Sequence, residues 1–371
     1  MDMIPLVDLE AQYLQIKEEI DEIIRDVVNS RSFIQGRYVT AFETEFARLQ
    51  QCDHVVGCSN GTSALFLALL AAGIKAGDEV ITTPATFIAT AEAICHVGAV
   101  PVFVDIDPAT YTIDPSLIES RITSKTRAIL PVHLYGNPAD MDSIMALARA
   151  HDLRVIEDCA QAHLATYNTR PVGTFGDAGA FSFYPGKNLG AYGDAGAVIT
   201  GDPDRAKMMR LLADHGRDSK YIHTIIGYNH RMDGLQGGIL LVKLKYLQRW
   251  TEQRRSNAQR YSSLLHDVEG LQLPFSRELS EHVYHLYVVQ VPNRDTVISY
   301  LQENGVSASI HYPIPLHLQP ALKFLGYREG DFPVAEHAAR HIVSLPMYPE
   351  LTPEQIERVC SLLVTAVKNE G

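Results

Sequence analysis

Basic side chains are in short supply. Against 44 aspartates and glutamates stand 32 lysines and arginines, a formal net charge of −12. A general nucleic-acid binder needs a basic face, so that class is excluded at the outset. Any anionic ligand would have to meet local basic groups in an acidic protein. Cysteine is scarce too. Cys52, Cys58, Cys95, Cys159 and Cys360 are odd in number, scattered, and lack C-x-x-C spacing. They read as reduced cytoplasmic thiols, neither a disulfide framework nor a zinc site. No apolar run approaches the ~18 residues of a membrane span. The stretch Met1–Asp8 has no basic start and no long apolar core, so it does not read as a signal peptide and no membrane partner is expected.

What is present describes an ordinary globular chain. A length of 371 residues exceeds what one hydrophobic core supports, so two associated domains are expected. Helical spacing of apolar residues predicts helices over 10–29 and 39–50. From residue 54 onward short apolar strands alternate with helices, over 54–59, 79–83, 100–105, 127–133, 155–158, 180–184 and 195–200. That alternation argues for an α/β fold with a largely parallel sheet, whose sites lie beyond the carboxyl ends of the strands. A long helix over 234–265 leads into an α+β remainder with strands over 286–291 and 307–311. The boundary is placed near residue 250, giving a large domain of 1–250 and a small C-terminal domain of 251–371.

The most informative stretch is Gly179–Val198, read as a strand, a Pro-Gly turn, a lysine and a glycine-punctuated loop. Apolar and aromatic residues surround Lys187. Burial there disfavours the ammonium form and makes the amine a nucleophile toward aldehydes, the chemistry of a Schiff-base lysine. Upstream, the strand Val155-Ile156-Glu157-Asp158 ends in a carboxylate. A buried carboxylate on a neighbouring strand is what pyridoxal phosphate needs to keep its ring nitrogen protonated. Ser59-Asn60-Gly61-Thr62 joins a strand to an apolar helix, an arrangement that suits an anion and serves equally as a plain helix cap. His311 and His317, with two prolines between them, make a poor metal pair, and no metal is expected.

Glu157-Asp158-x-Ala160-Gln161-Ala162-His163 followed by Phe181-Ser182-Phe183-Tyr184-Pro185-Gly186-Lys187-Asn188-Leu189-Gly190-Ala191-Tyr192-Gly193-Asp194 resembles the DegT/StrS-type nucleotide-sugar aminotransferases over nearly the whole chain. The resemblance implies the type I fold of pyridoxal-phosphate transferases, with a mostly parallel seven-stranded sheet and a smaller α+β domain. It implies pyridoxal 5′-phosphate as an internal aldimine on Lys187, with Asp158 holding the pyridinium proton. Gly61, Thr62 and Ser182 would bind the phosphate, Gln161 would lie near the ring hydroxyl, and Phe87 would stack on the ring, although a core aromatic is its other reading.

The segment Gly227-Tyr228-Asn229-His230-Arg231-Met232-Asp233 resembles the family's partner-reaching segment. Asn229 would therefore complete the neighbouring subunit's site in a homodimer; the other reading is an exposed connection. His163, Tyr184, Arg231, His311 and Tyr312 are the residues expected to meet substrate, with a rigid proline loop as the rival account of the last two. L-Glutamate is the expected amino donor, and a keto group of a dTDP- or UDP-linked sugar the acceptor. The wording around Lys187 looks most like relatives acting at C3. Three alternatives stay open: a sugar dehydratase, in which histidine would replace Lys187, another elimination chemistry, and a non-catalytic regulatory relative.

Overall fold

The computed structural model describes residues 3–369. Asp8 caps the first helix, α1 (Leu9–Ser30), by accepting from the Ala11 amide at 2.8 Å. Helix α2 (Arg37–Gln50) follows, then strand β1 (His54–Cys58) and helix α3 (Gly61–Ala71). Helix α3 is apolar all round and almost wholly buried, so it is an internal helix lying against the sheet.

The sheet strands continue with β2 (Glu79–Thr82), β3 (Val100–Phe103), β4 (Thr126–Ile129), β5 (Arg154–Asp158), β6 (Ala178–Ser182) and β7 (Gly196–Thr200). Helices α4 (Ala89–His96), α5 (Met141–Ala150) and α6 (Pro203–Ala213) are interspersed. The seven strands lie in the order β1-β7-β6-β5-β4-β2-β3. Strand β7 runs antiparallel to both its neighbours, and the remaining pairings are parallel. One core, with α3, α4 and α6, fills one face; two others, with α5 and with α2 and the following helix α7 (Gly234–Leu265), fill the opposite face. Burial on both faces explains why the central strands read as continuous apolar runs without alternation. Each fully buried Leu, Ile or Phe there contributes roughly 1.5–3 kcal/mol.

The borders of this sheet are closed by side chains. On β1, Glu43 Oε1 accepts from the Gly57 amide at 2.7 Å, and Arg210 donates to the Val55 carbonyl at 2.6 Å while paired with Glu43. On β3, the Phe103 amide donates to the Tyr327 hydroxyl at 3.3 Å.

The C-terminal half of α7 packs into a second core. It holds the antiparallel pair that follows the hairpin strands β8 (Arg217–Ser219) and β9 (Ile222–His223), namely β10 (Tyr287–Gln290) and β11 (Ile342–Leu345), with helices α8 (Arg294–Glu303) and α10 (Pro353–Asn369) around it, whereas α9 (Pro333–His341) packs on the core of α3, α4 and α6. The N-terminal residue Ile4 joins this second core and bridges to Val306.

Several elements differ from expectation. The span 307–311 makes only an isolated bridge, Ser309 to Ser344, because Pro313 and Pro315 turn the chain away at once. The span 217–223, for which no strand is predicted, is the β8–β9 hairpin. Phe87, whose other reading is a core aromatic, precedes α4, and the cavity described below reaches its side chain.

Candidate active site

Strands β5 and β6 run parallel and end side by side, so Asp158 and Ser182 emerge at the same border of the sheet. Here a cavity of about 630 Å³ opens, lined by the first turn of α3, the residues leading into α4, the Lys187 loop and the segments around residues 285 and 311. This is the border at which open α/β sheets place ligands.

Asp158 is buried in the floor. Its Oδ2 accepts from the Thr90 hydroxyl at 2.8 Å and its Oδ1 from the Ala160 amide at 3.1 Å. Burial pushes its pKa up, while these two donors and the Lys187 charge pull the other way. Such a carboxylate gains from a cation placed against it. Lys187 follows the turn in which its amide donates to the Tyr184 carbonyl at 2.9 Å. The loop then closes tightly: a Cβ on Gly190 would lie 2.2 Å from the Pro185 carbonyl oxygen, so only glycine fits. Burial lowers the Lys187 pKa to about 8, with Asp158 opposing that shift.

At the other end, Asn60 caps α3 by accepting from the Ser63 amide at 2.8 Å. The amides of Gly61 and Thr62 have no acceptor among the described residues and stand at the positive end of the helix. Gly61 presses on Ser182; a Cβ at 61 would sit 2.6 Å from the Ser182 Cβ. The result is a cradle with two free amides and a hydroxyl, which fits a phosphate. The free amine, the buried carboxylate and this cradle line one cavity, so the residues present fit pyridoxal phosphate.

A hydrogen-bonded wall faces them. Gln161 Oε1 accepts from the Tyr135 amide at 2.6 Å, and its Nε2 donates to the Tyr312 hydroxyl at 3.2 Å. The Tyr135 hydroxyl donates to the His311 carbonyl, and His311 Nδ1 meets the Ser344 hydroxyl at 2.8 Å. Burial and the Lys187 charge hold the His311 pKa at about 4, so its ring is neutral. The Phe87 ring is 53 % exposed and tilted 42° against the Tyr312 ring at 5.6 Å, a cavity aromatic and not a core one. Tyr184 stands exposed at the rim.

Three expected residues lie elsewhere in the protomer. His163 is wholly buried against Phe181 and Phe183, with ring centroids 5.6 and 5.5 Å away, and burial and then the Lys187 charge hold its pKa at about 3. It is part of the packing behind the cavity wall. Asn229 is exposed, pairing through its backbone with Asp214 just beyond the β8–β9 hairpin. Arg231 is paired with Asp214 at 2.9 Å.

Sequence reasoning missed the roles of Thr90, Tyr135 and His285. Each takes its meaning from a contact or cavity position remote in the chain, and none sits in a recognisable spacing. The buried trio His133, Glu157 and Cys159 has metal-ligating chemistry. Hydrogen bonds occupy it instead. His133 Nδ1 accepts from the Ala139 amide and its Nε2 donates to Glu157, which also accepts from the amides of Gly173, Phe175 and Gly176.

Comparison with known proteins agrees with this geometry. The sequence pattern of the "DegT/DnrJ/EryC1/StrS aminotransferase family" matches residues 14–364. The chain is 49% identical to a "Pleiotropic regulatory protein" of Geobacillus stearothermophilus, over 96% of each chain. It is 47% identical to a UDP-N-acetyl-3-dehydro-alpha-D-glucosamine 3-aminotransferase of Acidithiobacillus ferrooxidans, over 97% of each. The crystal structure of DesV from S. venezuelae, in complex with a ketimine intermediate, superposes with a TM-score of 0.97 at 42% identity, covering 99% of both chains. With its seven-stranded sheet and its lysine and aspartate in one cavity, the chain belongs to the DegT/DnrJ/EryC1/StrS aminotransferase family.

Proposed function

We propose that this protein transfers an amino group from L-glutamate to the C3 keto group of a dTDP- or UDP-linked sugar, using pyridoxal 5′-phosphate. The observation that carries the reading is the pairing of a buried, partly neutral Lys187 with a buried Asp158 in one cavity. A purely regulatory relative has no use for that pair, whatever name the Geobacillus protein bears. The C3 assignment rests on the residues around Lys187 and on the 3-aminotransferase name of the Acidithiobacillus relative.

When bound, the cofactor supplies an electron sink for the substrate carbon. The chain's residues supply the rest. Lys187 Nζ, neutral in a substantial fraction near pH 8, would hold the cofactor's aldehyde carbon and, once released, would carry the proton to and from the substrate carbon. Asp158, fixed by Thr90 and Ala160, holds a proton on the ring nitrogen. The Gly61 and Thr62 amides and the Ser182 hydroxyl hold the phosphate. Gln161 would meet the ring hydroxyl, and Phe87 would offer a flat apolar face to the ring. His311, Tyr312 and Tyr184 meet the sugar nucleotide.

We also infer a homodimer with shared sites. The charged residues lining the cavity are Asp158, Asp194 and Lys187, which leaves it short of cations for anionic substrates. The hairpin next to Asn229 exposes Tyr221 (80 %), and Ile226 beyond it is 91 % exposed. Burying these apolar side chains against a second copy would carry Asn229 and nearby cations to the partner's cavity. Within the chain, we read 1–250 and 251–371 as two units bridged by α7, and the cytoplasm as the compartment.

The test is direct. Purified protein is mixed with L-glutamate and nucleotide-linked 3-keto sugars, and the appearance of 2-oxoglutarate and an amino sugar is followed by mass spectrometry. An elimination product in place of the amino sugar, or no turnover with cofactor bound, would overturn the reading.

A further inference from the structure

His285 lines the same cavity and is only 9 % exposed. Its surroundings fix which ring nitrogen carries the proton. The neighbour of Lys187, Asn188, donates through its Nδ2 to the Val283 carbonyl at 3.1 Å. Its Oδ1 is therefore the atom facing His285 Nδ1, at 3.3 Å. A carboxamide oxygen only accepts, so Nδ1 must bear the hydrogen. A neutral imidazole has a single N–H, which leaves Nε2 as a bare acceptor. Nε2 has no partner among the described residues. Burial, with Lys187 and Arg254 nearby, keeps the ring neutral.

The backbone is pinned as firmly as the ring. The His285 amide donates to the Tyr135 carbonyl at 2.9 Å, and Arg254 of α7 donates to the carbonyls of Tyr284, His285 and Met347. A polar atom held so rigidly in a largely apolar cavity wall is built for a ligand, because leaving it unpaired costs free energy.

We propose that His285 Nε2 is a fixed hydrogen-bond acceptor for a hydroxyl of the sugar, making His285 a specificity-determining residue for the amino acceptor. This rests on the functional reading above. The same chemistry could be offered by the ammonium group of the amino donor, and the two half-reactions separate these sources.

The experiment uses the holoenzyme with His285→Phe, which keeps a ring and removes the acceptor, and His285→Gln, whose amide can donate to Asn188 and still present an oxygen. Visible absorbance follows the half-reaction with L-glutamate and then the return with the keto nucleotide-sugar. His285→Phe should raise the apparent KM for the sugar about three- to tenfold, the worth of one neutral hydrogen bond. It should leave the glutamate half-reaction within about twofold, and His285→Gln should recover most of the loss. An unchanged sugar KM, or equal damage to both half-reactions, overturns the proposal.

Should His285→Phe not fold, wild type with 15N-labelled histidine gives a second reading. The Nε2 resonance, assigned by its disappearance in His285→Gln, should report the Nδ1–H tautomer and move when UDP-N-acetylglucosamine or dTDP-glucose is added to cofactor-free protein. The opposite tautomer, or no shift on saturation, overturns it equally. Wild type inert in both half-reactions would remove the functional reading itself, and this proposal with it.

Discussion

Lys187 and Asp158 are both deprived of water, and each moves toward its neutral form for that reason. A lysine with pKa near 8 is about a tenth neutral at pH 7, against a few parts in ten thousand for an ordinary one. Capture of pyridoxal phosphate by the cofactor-free protein should therefore accelerate with pH and level off just above 8; stopped-flow absorbance that keeps climbing toward pH 10.5 would contradict this. Asp158→Asn preserves shape but retains one acceptor oxygen for two donors, Thr90 and Ala160, and loses the charge opposite the ring nitrogen. Turnover should fall about a hundredfold or more while some cofactor stays bound, measured as kcat beside the visible band. Asp158 was legible because it ends a buried strand, and Lys187 because it follows the next strand's turn among apolar and aromatic residues with few charges near it. His285 was not. Its partners Asn188 and Arg254 are 97 and 31 residues away, and a histidine entering a strand resembles any other core histidine.

Among the elements, α7 does more than its amphipathic pattern suggests. Its buried Lys243 donates to the Gly190 carbonyl at 2.8 Å, in the loop that carries Lys187, and its Arg254 grips the strand of His285. One helix thus holds two adjoining segments of the cavity lining, which also meet each other through Asn188 and His285. Burial depresses the Lys243 pKa to about 7. Between that value and the unfolded value near 10.4, the folded state binds fewer protons than the unfolded state, so the cost of this lysine is full below pH 7 and shrinks as pH rises. Replacing it with methionine removes that cost. The melting temperature of Lys243→Met relative to wild type should be most favourable at pH 6 and less so at pH 9; a difference that stays flat or grows with pH would show that the amine is not a desolvated cation. The lost bond to Gly190 shifts this curve without changing its slope. Strand and helix positions in the sheet were readable from burial on two faces, whereas the β8–β9 hairpin was not. Both of its faces are polar or exposed, so no alternation marks it.

At the scale of the whole molecule, the proposed shared site makes a specific demand on mixed assemblies. Lys187→Ala and Asn229→Ala proteins should each be impaired, but mixing them under subunit exchange should regenerate one intact site per mixed dimer. Activity should then approach about a quarter of wild type, since half of the dimers are mixed and each has one good site of two. If Asn229 serves its own protomer, no activity returns. The sequence pointed to Asn229 through the segment around it, but not to the apolar surface beside it, because Tyr221 and Ile226 look like ordinary loop residues until their exposure is seen.

The closed borders of the sheet limit how copies can meet. Glu43 and Arg210 occupy the free amide and carbonyl of β1, and Tyr327 occupies an amide of β3. A passing strand therefore finds fewer vacant ladder positions, which favours contact through side-chain surfaces over extension of the sheet wherever copies meet. The same arrangement guards against runaway stacking when the protein is abundant, and a chain carrying Arg210→Ala should be the first to show it, as material shifting from the supernatant to the pellet.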